Sequence, residues 1–168
     1  MSYTADETTN PRETQNIIQT NAVEIYAGFW KRFAAWVLDF IIVTICSTFM
    51  GFMTGILFGV LGLINLESPS ADLQLQFLGW LVTFLFAWSY YVSMEASEHQ
   101  GTLGKMAMNI KVTDENGGRI TSKRATGRFF GKILSRLTLG LGYLMIAFTD
   151  KKQGMHDLLA KCLVVNKN

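Results

Sequence analysis

The sequence of 168 residues contains few of the residue types from which chemical sites are built. Its two cysteines, Cys46 and Cys162, match the spacing of neither a disulfide framework nor a metal site. It has two histidines, His99 and His156, and no nucleophile elbow or phosphate-binding glycine loop. A formal net charge of +2 is too small to indicate nucleic-acid binding. We therefore expect no enzymatic activity, no cofactor and no metal.

Charge is nearly absent from two long apolar blocks of the chain. Within residues 33–66 the only ionisable groups are Asp39 and the thiol of Cys46. A bilayer span requires about 20 apolar residues. We predict one transmembrane helix within residues 31–60 and a second over residues 73–94, and hence a small all-α membrane protein.

Residues 1–25 are polar and contain little aliphatic surface, which predicts a flexible tail. They do not have the pattern of a signal peptide, because the first apolar run begins at Phe33 and exceeds the length of a signal core. Residues 26–166 are expected to form the membrane domain.

Two charged residues fall on one face of the first predicted span. A carboxylate within a span costs about 2.5–3.5 kcal/mol on insertion scales, so Asp39 needs a partner. Arg32 lies seven residues earlier, on the same helix face and about 10 Å away along the axis. Glu95, at the inner end of the second span, is predicted to pair with Arg32. The structural alternative is that Arg32 reaches lipid headgroups and a hydrogen bond neutralises Asp39.

Glycines recur every fourth residue in the first span, at Gly51, Gly55 and Gly59. Such a stripe of small residues lets a second helix approach closely. We expect it to mediate self-association into a homo-oligomer, with helix flexibility as the alternative.

Basic residues are distributed unequally between the loops. Residues 65–76 contain no Lys or Arg, whereas Lys31 and Arg32 precede the first span. After the second span, residues 105–136 contain eight basic residues: Lys105, Lys111, Arg119, Lys123, Arg124, Arg128, Lys132 and Arg136. The positive-inside rule places both termini in the cytoplasm and residues 65–76 outside.

The segment after the second span carries signals for strands. Residues 108–122 contain an Asn-Gly pair between two short alternating runs, which predicts a cytoplasmic β-hairpin. Residues 161–166 have the pattern of a further strand. Because three strands are more stable than an isolated hairpin, we predict that they join into a small sheet.

Residues 128–149 are ambiguous, because a basic helix face precedes an apolar run of only about 12 residues. A full third span would place four C-terminal lysines outside: Lys151, Lys152, Lys161 and Lys167. A re-entrant or interfacial hairpin would keep them inside. The hairpin is the preferred interpretation, and a third span is the alternative.

Three groups of motifs together resemble the RDD family of bacterial membrane proteins. They are Gly28-Phe-Trp-Lys-Arg32 with Leu38-Asp39, Gln100-Gly-Thr-Leu-Gly-Lys105 with Ile110-Lys-Val112, and Gln153-Gly-Met-His-Asp157 with Leu163-Val-Val165. The resemblance spans residues 26–166. The chain departs from the family pattern at Asn109 and Lys161, where the family tends to have glycine.

The resemblance implies which residues give the family its name. The arginine and the first aspartate fall on Arg32 and Asp39, and the second aspartate falls on Asp157 or on Asp150. It also implies a multi-pass protein of the bacterial inner membrane, with transport as the usual suggestion for the family.

Two functional hypotheses follow. In the first, the protein carries out ion- or proton-coupled transport, and Asp39 alternates between a proton and a monovalent cation while Arg32 and Glu95 set its pKa. In the second, it is a membrane scaffold or assembly partner without flux, for which helix contacts and a basic face toward anionic lipid suffice. The lipid bilayer is a partner in both.

Overall fold

The structure is a computed structural model that describes residues 25–64, 68–138 and 140–167. The predicted tail lies outside these ranges except for residue 25. Six helices and two strands follow one another in the described residues: α1 Phe29–Val60, α2 Ala71–Ala96, α3 Leu103–Ala107, β1 Ile110–Asp114, α4 Ser122–Leu137, α5 Leu141–Phe148, α6 Met155–Leu159 and β2 Cys162–Asn166.

The helices α1 and α2 are long and apolar enough to cross a membrane. They contain the two predicted spans; α1 begins two residues before the predicted span and ends with it, and α2 extends two residues beyond the prediction at each end. Large apolar side chains on both helices are exposed, among them Phe52 at 64% and Trp80 at 79%. In water such a surface would be unfavourable, whereas lipid tails are a suitable environment for it.

The glycine stripe of α1 faces α2 of the same chain. A Cβ atom added at Gly51 would lie 4.0 Å from Gly79 Cα, and one added at Gly55 would lie 3.7 Å from a methyl carbon of Leu75. Both positions therefore serve the close packing of the two long helices within one subunit. Self-association through the stripe stays a prediction.

The sheet has two antiparallel strands, β1 and β2, in which Ile110 lies opposite Asn166 and Asp114 opposite Cys162. Tyr26 extends it by an isolated bridge to Val165. The predicted joining of the two strand segments is observed, although they are far apart in sequence.

The predicted hairpin within residues 108–122 is wrong. The Asn-Gly turn does form, but residues 119–121 are not a strand. Instead, Asp114 Oδ1 accepts hydrogen bonds from the backbone N–H groups of Asn116 at 2.9 Å and Gly118 at 2.7 Å. An aspartate side chain that binds the turn in this way competes with ladder pairing. The chain then enters α4, where Thr121 caps the N-terminus.

The apolar core lies at one end of the helix pair. It combines residues in or just before the first turns of α1 and α4 with the end of α2, both strands and the residue after α6: Ala27, Ala35, Val92, Ile110, Val112, Ile120, Ala125, Ala160, Cys162 and Val164. We call the elements α3 to α6 with the two strands the cap. The cap is thus packed on the Phe29 end of α1.

The helices α4 and α5 are bent by 104° at the break between them. Together they are long and apolar enough for a broken span or a re-entrant loop. The strand β1 lies near the end of the helix pair at which α2 ends. Because β2 pairs with β1, the chain after α5 returns to this same end.

Two departures from the family pattern lie at left-handed backbone positions. Asn109 has φ of 53° and Lys161 has φ of 50°. Glycine adopts this region without steric cost, and asparagine tolerates it better than most residues do. Lys161 therefore carries the greater strain of the two.

We expect Lys161→Gly to raise the free energy of unfolding by about 0.5 kcal/mol, since strain of about 1–2 kcal/mol is relieved and part of it is offset by the larger entropy of unfolded glycine. Lys161→Val should instead lower it by about 1 kcal/mol. Thermal unfolding in detergent measures both changes. Equal stability of the two variants would contradict the argument from strain.

Candidate functional site

Asp39 is buried at the contact between α1 and the cap. Its Oδ2 accepts a hydrogen bond from Thr102 Oγ1 at 2.5 Å. Its Oδ1 accepts from the backbone N–H of Gly104 at 2.8 Å and from the Tyr90 hydroxyl at 2.9 Å. All three donors are neutral, so hydrogen bonds from two further elements compensate the burial of this carboxylate.

The approach of α3 to α1 depends on Gly104. A Cβ atom at this position would lie 2.2 Å from the carbonyl oxygen of Ala35 and 2.9 Å from Asp39 Cγ. Only a residue without a side chain brings its N–H within reach of the Asp39 carboxylate here. Tyr90 reinforces the contact, since its hydroxyl oxygen also accepts from the N–H of Leu103 at 3.0 Å.

Glu95 lies at the centre of a second polar group. Its carboxylate contacts Lys105, Arg128 at 3.1 Å and Lys132 at 3.2 Å, and its side chain is 1% exposed. These cations come from α3 and α4. A carboxylate at the end of α2 therefore fixes the position of two elements of the cap.

Asp157 completes this group from α6. Its Oδ2 lies 2.5 Å from Arg32 Nη1, and its Oδ1 lies 2.7 Å from Arg128 Nη2. Its Oδ2 also accepts from the backbone N–H of Gly154 at 3.2 Å, which caps the first turn of α6. Arg128 thus bridges Asp157 and Glu95. We call the connected residues the charge cluster: Arg32, Glu95, Lys105, Arg128, Lys132 and Asp157.

Arg32 and Asp39 of α1 thus both contact the cap, and Arg32 binds Asp157, the aspartate of the Gly-Met-His-Asp motif in α6. Residues 26–161 match the family model described as "RDD family". The chain belongs to the RDD family. Since its two long helices are apolar, this RDD protein is a membrane protein.

Two relatives of the RDD protein come from Bacillus subtilis (strain 168). One, named "Uncharacterized protein YxaI", is 37% identical over 149 residues, which cover 84% of this chain and 97% of the relative. The other, named "Uncharacterized membrane protein YteJ", is 30% identical over 148 residues, which cover 84% and 82%. No solved structure matches the chain significantly.

The structure of the RDD protein separates the predicted site residues into two groups. Arg32, Glu95 and Asp157 belong to the charge cluster, whereas Asp39 has its own set of donors. The predicted pairing of Arg32 with Glu95 is wrong, because Arg32 binds Asp157 and Glu95 binds cations of the cap. Asp150 is exposed in the turn after α5, outside the charge cluster.

Most partners of Asp39, Glu95 and Asp157 are not evident from the sequence. Thr102 and Gly104 fall in one of the motifs shared with the RDD family, but that motif alone does not identify Asp39 as their acceptor. Arg128 and Lys132 are four residues apart and share a helix face, which by itself predicts a basic surface. In the structure this face is directed inward, and Arg128 is only 2% exposed.

The electrostatics of the cap follow from its burial. Burial disfavours the Asp157 carboxylate, yet the charges of Arg128 and Arg32 hold its pKa well below the usual range. Burial lowers the pKa of Lys105 to about 7, against the attraction of Glu95. This shift brings the pKa of Lys105 closer to neutral pH, although the ammonium group forms an ion pair with Glu95.

A cavity of about 480 Å³ adjoins the charge cluster. Arg32, Lys105, Arg128 and Lys132 contribute to its walls. His156, which is 4% exposed, also lines it and lies 5.1 Å from the Tyr143 ring, measured between ring centroids. Burial lowers the pKa of His156 to about 3, so its ring is neutral at pH 7.

We expect Gly104→Ala to lower the free energy of unfolding by about 3 kcal/mol, because the added methyl group would overlap the backbone of α1. Gly127→Ala is the matched control, since no atom beyond the neighbouring residues and backbone of its own helix lies within 4 Å of the added carbon. The control should raise stability by about 0.5–1 kcal/mol through helix propensity. Thermal unfolding in detergent measures both, and equal effects would contradict the close contact between α3 and α1.

Proposed function

We propose that this RDD protein is a non-enzymatic scaffold of the membrane, which holds a folded cap on one end of two transmembrane helices. The observation that carries this proposal is the set of three neutral donors around Asp39. Their hydrogen bonds to both carboxylate oxygens hold α2 and α3 against α1. The intramembrane acid therefore has a structural task that requires no flux.

The charge cluster supports the same proposal. Glu95 is surrounded by three cationic side chains, and Asp157 by two. A monovalent cation approaching either carboxylate would be repelled by these neighbours. The ion pairs instead connect α1, α2, α3, α4 and α6, as a scaffold that positions a cap requires.

We expect Asp39→Asn to fold and to retain the cap. An asparagine can accept from Gly104 and Tyr90 through its oxygen and donate to the Thr102 hydroxyl through its amide, so each present partner keeps a hydrogen bond. Asp39→Ala should lower stability by about 1–3 kcal/mol for each buried donor left without an acceptor. Thermal unfolding measures the difference in sealed vesicles containing the purified protein.

The same vesicles provide the functional measurement. With a pH-sensitive dye and an imposed sodium or potassium gradient, the scaffold should show no proton or cation flux above that of empty vesicles. Flux in the parent protein that Asp39→Asn abolishes would make Asp39 a transport residue, and the scaffold proposal would be wrong.

One observation favours ion- or proton-coupled transport as the second candidate. Lys105 pairs with Glu95, lines the cavity and has a pKa of about 7. Loss of its proton would change the charge of the cluster within the physiological pH range. In this alternative, Lys105 and Glu95 would carry the proton, and flux would persist in Asp39→Asn.

For the orientation, we propose that the cap and both termini lie in the cytoplasm of a bacterium. The basic residues of the cap support this through the positive-inside rule. The pairing of β1 with β2 supports an interfacial or re-entrant hairpin for α4 and α5, since an additional single crossing between the strands would place them on opposite sides.

Cysteine labelling tests this topology on a chain in which Cys46 and Cys162 are replaced by alanine. A membrane-impermeant maleimide should label Ser68→Cys in intact cells, and should label Lys167→Cys only after permeabilisation. The reverse pattern would invert the orientation. External labelling at both positions would replace the hairpin with a third span.

A further inference from the structure

The cavity beside the charge cluster adjoins a larger apolar groove. This groove has a volume of about 1310 Å³ and lies mainly along α1 and α2. Trp36, Tyr91 and Arg136 line both the groove and the cavity. The two spaces therefore meet at a border of two aromatic rings and one guanidinium group, where an amphiphile could place its polar and apolar parts.

The charges around the cavity do not balance. Five cations line it, namely Arg32, Lys105, Arg128, Lys132 and Arg136. Three carboxylates stand against them: Asp39 in the cavity wall, and Glu95 and Asp157 behind the cations. With every group ionised, two positive charges remain in excess. One of the five cations, Arg136, is exposed and forms no ion pair in the described part of the chain, so its guanidinium group can bind an anionic ligand at the edge of the cavity.

We propose that the cavity and the groove together bind one anionic phospholipid. Its phosphate lies beside Lys132 and Arg136, and an acyl chain lies between α1 and α2. This binding site is independent of the scaffold role. The cavity has the size of ordinary ligand pockets, which measure about 300–1,000 Å³.

The apolar groove favours a phospholipid over free phosphate as the ligand. Its walls are formed by apolar residues of the two membrane helices, including Phe52 and Ile56. Free phosphate would leave this space without a ligand, whereas a lipid fills both regions. Trp36 and Tyr91 stand where headgroup and chain meet, a position that suits amphipathic rings.

The test measures lipid affinity of the purified full chain in detergent, from the rise in Tm with lipid concentration. Phosphatidylglycerol and phosphatidylcholine with identical acyl chains are the two lipid probes. The anionic lipid should bind about tenfold more tightly, as expected for a charge-assisted contact. Arg136→Gln should remove most of this preference, and Arg136→Lys should retain it.

Lys123→Gln is the matched control, because it removes one exposed charge from the same helix away from the cavity. It should leave the preference unchanged. Equal affinity for the two lipids, or equal losses in Arg136→Gln and Lys123→Gln, would overturn the proposal. Inorganic phosphate or glycerol phosphate that matched the effect of the lipid would also overturn it, because the site would then bind the anion alone.

Discussion

Burial of charged side chains at one end of the helix pair is the constraint on which the arrangement of this RDD protein depends. A buried ion that loses its partner costs several kcal/mol, so each member of the charge cluster requires the others in position. Arg128 is central, since it joins Glu95 of α2 to Asp157 of α6. A displacement of either helix would leave a charge unpaired, and the cap is therefore restricted to one orientation on the spans.

Asp39 imposes a different kind of constraint. Its partners are two hydroxyl groups and one backbone N–H, whose directions are more demanding than the attraction between charges. The N–H reaches the carboxylate only because Gly104 has no side chain. The charge cluster thus holds the cap to both spans, and the Asp39 contact sets the distance between α3 and α1.

The two long apolar helices were predictable because an apolar run of about 20 residues with almost no charge is typical of a helix that crosses a bilayer. The β1 to β2 pairing was predictable from short β-like runs, whereas the hairpin failed because the Asp114 side chain binds the turn. The partners of Glu95 and Asp157 were not predictable, since a single sequence does not show which distant helix faces meet. Gly104 lies in a motif shared with the family, but its role was not predictable, because it depends on the neighbouring backbone of α1 that only the fold supplies.

The contact between Arg32 and Asp157 joins residues that are 125 positions apart. A ribosome synthesises Arg32 long before Asp157, at about 5–20 residues per second. During this interval both membrane helices can insert, while Arg32 and Arg128 lack the carboxylate that joins them. Completion of the buried ion pairs is therefore a late event in biogenesis, and premature termination of translation before α6 would leave two guanidinium groups without this carboxylate.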